Sequence, residues 1–162
     1  MSKTPANKKS AKSPSKHLAK KAARVLAEEL LCHDGVSKIG LMTLNSEKTM
    51  NAVDLEMINL IDNIFARWQA DDSIVAMVMR GAGDRAFCAG GDIRQLYDSM
   101  TLAQSEDTDV PAYEYADAFF SAEYSKNYRV HLMGKPLIAW GNGFVMGGGL
   151  GLFVGANHKV GT

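Results

Sequence analysis

Ala86-Phe87-Cys88-Ala89-Gly90-Gly91-Asp92 and Asn142-Gly143-Phe144-Val145-Met146-Gly147-Gly148-Gly149 are two glycine-rich corners, each set between a strand-like apolar run and a helix-like one. Glycine permits positive φ and lets a ligand come close to the backbone. The N–H groups at a helix start have no intrahelical acceptor and attract an oxygen that carries negative charge. Two such corners can aim two donors at one oxygen, the arrangement that stabilises a thioester enolate or a tetrahedral oxyanion. Losing one such donor costs on the order of 3 kcal/mol. For either corner alone, the competing reading is that glycine serves only a tight turn and close packing of helix on sheet.

Working upstream, Ile74-Val75-Ala76-Met77-Val78-Met79 is the continuous apolar run of a strand buried on both faces, and Gly81-Ala82-Gly83-Asp84 turns the chain after it. Before that, Leu55, Ile58, Ile61, Ile64, Phe65 and Trp68 recur at helical spacing, with Asn51 followed by Asp54 as the start signal and Asp71-Asp72 as the end. Val25 to Leu31 consists of good helix formers, so propensity predicts a helix there. The turn residues Asp34-Gly35 before the apolar stretch Ile39 to Leu44 also allow a paired strand. Downstream, the pattern predicts a helix near Ile93 to Met100, a loop over Ser105 to Asp109, and an aromatic helix from Tyr113 to Leu132. In that last helix Phe119, Phe120, Tyr124 and Tyr128 are expected in the core. Lys135-Pro136 breaks it, Leu137 to Trp140 reads as a short strand, and the second corner opens a further helix. Strands alternating with helices in this order predict an α/β layered fold.

At 162 residues and 46% hydrophobic content, the chain has the size of one globular domain. The net charge of zero hides an asymmetry: residues 1–27 hold seven lysines and Arg24 with no acid, leaving ten cations against eighteen acids in 28–162, a net of −8. A body of that sign is not a nucleic-acid surface, so any anionic ligand must be held by local N–H groups in a defined pocket. Residues 1–22 are too poor in apolar side chains to offset ordering entropy and are predicted to be a disordered basic tail, with a transit peptide or a basic arm as alternatives. The remaining 23–162 form the predicted domain.

No apolar run reaches the roughly 18 to 20 residues of a bilayer span, and the polar start is not a signal-peptide core. Cys32 and Cys88 lie far apart in a chain that needs no staples, and neither they nor His17, His33, His131 and His158 have zinc-ligand spacing. No metal and no membrane are expected, and the compartment is expected to be the cytoplasm, with the mitochondrial matrix as alternative.

The run from Ile39 through Thr43-Leu44-Asn45, Asn51-Ala52, Gly81-Ala82-Gly83 and both corners, with Lys135-Pro136 between them, resembles the crotonase, or enoyl-CoA hydratase/isomerase, family across nearly all of 24–162. The resemblance implies a crotonase-like α/β spiral of ββα units and places a strand over Val25 to Leu31. It implies an oxyanion hole made by the backbone N–H groups of Ala89 and Gly148, an acyl-CoA site lined by Gly90, Gly91 and Asp92, and Lys48 near the nucleotide phosphates. Coenzyme A would arrive as part of the substrate, with no other cofactor. A homo-oligomer, trimer or hexamer, is likewise implied.

Family hydratases carry a catalytic glutamate two residues after the glycine triplet, where this chain has Gly151, which cannot move a proton. Gly147-Gly148-Gly149-Leu150-Gly151-Leu152, Gly91-Asp92-Ile93-Arg94 and Phe119-Phe120-Ser121-Ala122-Glu123-Tyr124 instead resemble the 3-hydroxyisobutyryl-CoA hydrolase branch. That similarity implies thioester hydrolysis in valine breakdown, with Glu123 contacting the hydroxyl of the acyl group. In this branch the glutamate that acts on water and its supporting aspartate lie beyond the triplet in a part the chain does not contain. A truncated member with little turnover alone is therefore expected.

Three other readings compete. An enoyl-CoA hydratase or isomerase is the nearest. A nucleotide-binding module is suggested by Gly141-Asn142-Gly143 with Gly147, although Met146 stands where a dinucleotide loop needs its third glycine. A non-catalytic assembly protein is the third. Cys88 has no His or Asp positioned by sequence to activate it and reads as a small buried side chain.

Overall fold

The computed structural model describes residues 23–105 and 113–162. The expected tail over 1–22 and most of the expected loop after Ser105 lie outside the described residues. Two layers organise the rest. One is a five-stranded sheet in the order β1 (Val25–Leu31), β2 (Lys38–Leu44), β3 (Ile74–Gly81), β5 (Leu137–Gly141), β7 (His158–Gly161). The β1–β2 pair is antiparallel, and every other pair in the sheet is parallel. The other layer contains α1 (Leu55–Ala70), α2 (Ile93–Ser105), α3 (Glu114–His131) and α4 (Gly148–Gly155). Between them sits a small parallel pair, β4 (Ala86–Cys88) with β6 (Phe144–Val145), that carries both glycine corners.

Val25–Leu31 is a strand, as the family resemblance implied and propensity did not. Pairing decides it: Val25 lies opposite Leu44 and Leu31 opposite Lys38, so the whole segment is zipped to β2. The turn that closes the pair is fixed by Asp34, whose Oδ1 accepts from the N–H groups of Val36 (3.0 Å) and Ser37 (2.9 Å), and by Gly35 at φ 71°. Helix propensity spans under about 1 kcal/mol per residue and yields to a full ladder of backbone bonds.

The helix α1 is as patterned, with Met57, Ile58, Ile61, Phe65 and Trp68 buried against the sheet, each contributing about 2 kcal/mol of apolar burial. Its cap differs from expectation. Asp54 is the N-cap and its Oδ1 accepts from Met57 N (2.9 Å), while Asn51 lies outside the helix in the left-handed region at φ 56°. Asn51 is fully buried and ties three segments together. Its Nδ2 donates to Ala82 O (3.0 Å) and Ala86 O (2.8 Å), and its Oδ1 accepts from Ser46 N (2.9 Å). At the other end of α1, Lys135 Nζ donates to the carbonyls of Trp68 (2.7 Å) and Asp71 (2.6 Å), so the residue that breaks one helix caps another.

Three expectations are corrected. The strand β3 is not buried on both faces throughout, because Val75 near its start is exposed. The helix α2 continues to Ser105, where a loop was expected. Of the four aromatic residues expected in the core of α3 only Phe119 is there, whereas Phe120, Tyr124 and Tyr128 are exposed. The fully buried member of α3 that the aromatic pattern hides is Lys126, 1% exposed, with no hydrogen-bond partner for its Nζ among the described residues. Burial lowers its pKa from 10.5 to about 8, against the opposing pull of Glu123, Cys88 and Asp62.

Two outcomes follow from this packing. Asn51→Ala removes the hydrogen bonds to two carbonyls and leaves a non-glycine residue at positive φ, so chemical denaturation is expected to show a loss of about 3 kcal/mol. For Lys126, the unfolded chain holds its proton up to about 10.5 and the folded chain only to about 8, so stability is expected to rise with pH across that window. Below about pH 8 the folded state bears the full burial cost. Lys126→Met is expected to stabilise the protein at pH 7 by on the order of 1–3 kcal/mol and to flatten that rise, as read from urea midpoints at several pH values.

Candidate functional site

The two corners meet because β4 and β6 pair side by side. Phe144 N donates to Arg85 O and Met146 N to Cys88 O, both at 3.0 Å, which draws Gly147 against Gly90. A Cβ on Gly90, at φ 111°, would meet Met146 O at 3.2 Å and Gly147 Cα at 3.4 Å. The chains touch backbone to backbone, and both residues take positive φ, Gly147 at 50°, which glycine adopts without strain.

The N–H groups around this contact are not equally free. Ala89 N donates to Met50 O (3.0 Å), so the donor expected at Ala89 is already spent. That bond exists because Met50 and Asn51 both take left-handed backbone and turn the Met50 carbonyl toward β4. Gly90 N faces Cys88 Sγ at 3.4 Å. Gly91 N has no acceptor among the described residues, because the bridge between Gly91 and Val53 uses its neighbours: Val53 N donates to Gly90 O and Asp92 N to Val53 O, both at 2.8 Å. In the second corner Gly149 N donates to Met146 O (2.9 Å) and Leu150 N to Gly147 O (2.9 Å). The N–H groups of Gly147 and of Gly148, the latter at the first position of α4, have no acceptor among the described residues. A Cβ on Gly148 would lie 3.7 Å from Gly91 N, so the free donors at Gly91 and Gly148 are neighbours. In the first corner the N–H that is free is that of Gly91, two residues beyond Ala89.

A cavity of about 400 Å³ opens over these groups, lined by Gly91, Gly147 and Gly148 together with Phe119, Glu123 and Asn127 of α3. Glu123 is 8% exposed, and its Oε1 stands where a Cβ of Gly148 would be. Sequence reasoning named Glu123, and the fold brings it to Gly148. Asn127 was missed. A Cβ at Gly151 would meet Asn127 Nδ2 at 2.7 Å, so this amide occupies the space a side chain at 151 would need. The i, i+4 spacing from Glu123 was the signal that could have found it.

Other expected residues have different work. Asp92 caps α2, its Oδ1 accepting from Gln95 N (3.1 Å), and does not line the cavity. Gly90 shapes the contact between the corners. Lys48 is exposed on the short 3₁₀ turn Glu47–Thr49 and is not among the cavity residues. Cys88 is fully buried, and burial pushes its thiol pKa up, away from nucleophilic use. The loop Gly141-Asn142-Gly143 does not open a helix, because β6 intervenes before α4, so the strand–loop–helix of a dinucleotide site is not formed.

These features can be set against known proteins. The sequence model described as enoyl-CoA hydratase/isomerase matches residues 39–162. The mitochondrial 3-hydroxyisobutyryl-CoA hydrolase of Homo sapiens is 36% identical over 141 residues, covering 87% of this chain and 33% of that protein. Its Danio rerio counterpart is 36% identical over 127 residues, 78% of this chain and 31% of that protein. The chain thus spans about a third of the length of these relatives. Among solved structures, an enoyl-CoA hydratase from Rhodobacter sphaeroides 2.4.1 superposes with TM-score 0.73 at 29% identity, over 86% of this chain and 37% of that one. A carnitinyl-CoA dehydratase from Mycobacterium thermoresistibile gives TM-score 0.71 at 32% identity, over 85% and 36%. With the fold of these structures and a family match across most of its length, the chain belongs to the enoyl-CoA hydratase/isomerase, or crotonase, family.

Proposed function

We propose that this chain binds an acyl-CoA thioester with its carbonyl oxygen between the N–H groups of Gly91 and Gly148, as the carbonyl-polarising part of a 3-hydroxyisobutyryl-CoA hydrolase. The observation that carries this reading is the pair of adjacent amides without acceptors at the floor of a cavity. As water adds to the thioester carbon, the carbonyl oxygen gains negative charge. Two fixed donors at that oxygen stabilise the tetrahedral state more than the ground state. The positive end of α4, whose first residue is Gly148, adds to the same field.

Glu123 is the acidic residue of the cavity among the described residues, pressed against Gly148 and facing Lys126. Its place beside the carbonyl-binding amides suits contact with the acyl group. The aromatic wall of Phe119, Phe120 and Tyr124 would cover the acyl chain. Hydration of an enoyl thioester is disfavoured by Gly151, where Asn127 stands instead of a proton-transferring side chain. The named relatives are mitochondrial, which favours the matrix over the cytoplasm as this protein's compartment.

Isothermal titration of the 162-residue chain with 3-hydroxyisobutyryl-CoA is expected to give saturable binding, competed by crotonyl-CoA. Gly148→Ala would set a methyl against the Glu123 carboxylate and displace the acyl group. It is expected to weaken binding at least tenfold while far-ultraviolet circular dichroism stays unchanged. Binding of free coenzyme A with equal affinity to both forms, and no added affinity for the thioester, would contradict the proposal.

A further inference from the structure

The cavity holds an acceptor and a donor one helical turn apart, and the function proposed above uses only the acceptor. Glu123 and Asn127 stand at i and i+4 on α3, so their side chains lie on the same face. Both line the cavity together with Gly148 and Gly151. The Glu123 carboxylate only accepts. Asn127 Nδ2 is a donor, and the amide lines the cavity. The Asn127 Oδ1 is buried without a partner among the described residues, so this end of the amide is not already committed to a hydrogen bond.

Position 151 keeps the amide in place. Its glycine leaves a gap that Nδ2 enters, at 2.7 Å from where a Cβ would stand. Around this pair the wall is aromatic: Phe119, Phe120 and Tyr124. An apolar acyl chain entering the cavity would desolvate the carboxylate and the amide and return nothing to either. A hydroxyl is different, since it donates one hydrogen bond and accepts another.

We infer that Asn127 is a specificity-determining residue, and that Glu123 and Asn127 together read a hydroxyl on the acyl group, the carboxylate accepting from it and Nδ2 donating to it. The site would therefore select hydroxyacyl over plain acyl thioesters. The inference rests on the acyl-CoA reading above and deepens it, because it assigns the choice of acyl group to a residue outside the carbonyl-binding corners.

The test compares two probes that differ by one hydroxyl, 3-hydroxyisobutyryl-CoA and isobutyryl-CoA, by calorimetric titration of the whole chain. The native protein is expected to prefer the hydroxylated thioester by about tenfold. Asn127→Leu keeps the side-chain size and removes the donor, and the preference is expected to fall to about one. Asn127→Asp keeps the shape and replaces the donor by a second acceptor, and it is expected to abolish or reverse the preference. The two variants guard against either one failing to fold. A residue that only fills space would weaken both probes alike and leave their ratio unchanged, which would overturn the inference. So would a native ratio of one. If the native chain binds neither thioester, the acyl-CoA reading itself fails, an outcome distinct from both.

Discussion

The backbone contact between Gly90 and Gly147 is the constraint on which the rest of the site depends. A parallel pair of very short strands holds it, and its bonds from Phe144 N to Arg85 O and Met146 N to Cys88 O fix how the two corners face each other. Both glycines take positive φ, a conformation side chains rarely adopt, and a Cβ on Gly90 would also crowd the Met146 carbonyl. With the gap closed, Gly91 N and Gly148 N become neighbours, although 57 residues of chain separate them. In the proposed function, donors fixed in this way would need no reorganisation as charge develops on a thioester oxygen.

The same contact explains why so many polar groups nearby have been committed elsewhere. The N–H of Ala89 is bound to Met50 O, the carbonyl of Ala86 to Asn51 Nδ2, and the Asp92 carboxylate to the first turn of α2. Each of these bonds fixes one end of the first corner. Asn51 does most of this anchoring, and it is an Asn because that side chain tolerates left-handed backbone and can both donate and accept. Among the described residues, the N–H groups of Gly91 and Gly148 and the Asn127 amide oxygen remain unpaired beside the cavity.

Much of this arrangement could be read from the sequence, and the reasons for the failures are physical. The corners, the α1 stripe and the strand before the first corner follow from glycine chemistry and periodicity, which are local. The strand at Val25–Leu31 was visible only through the turn and the family likeness, since its conformation is imposed by β2. The N–H of Ala89, expected to be free, is bonded instead, because the sequence does not show that a carbonyl 39 residues upstream occupies it. Asn51 passed for a helix cap because caps and buried anchors use the same residue type. The exposed aromatic residues of α3 show the limit of composition, which identifies a sticky helix face but not what covers it. Lys126 and Asn127 were silent because their meaning comes from what packs against them.

The central claim is that the Gly91 and Gly148 amides together polarise a thioester carbonyl. Its most direct test is the isotope-edited infrared spectrum of a carbonyl-labelled acyl-CoA bound to this chain. The account predicts a carbonyl stretch displaced to lower frequency than in water, with the displacement lost in Gly148→Ala at concentrations that still saturate the site. A bound thioester whose carbonyl stretch matches that in water, or lies above it, would contradict the account.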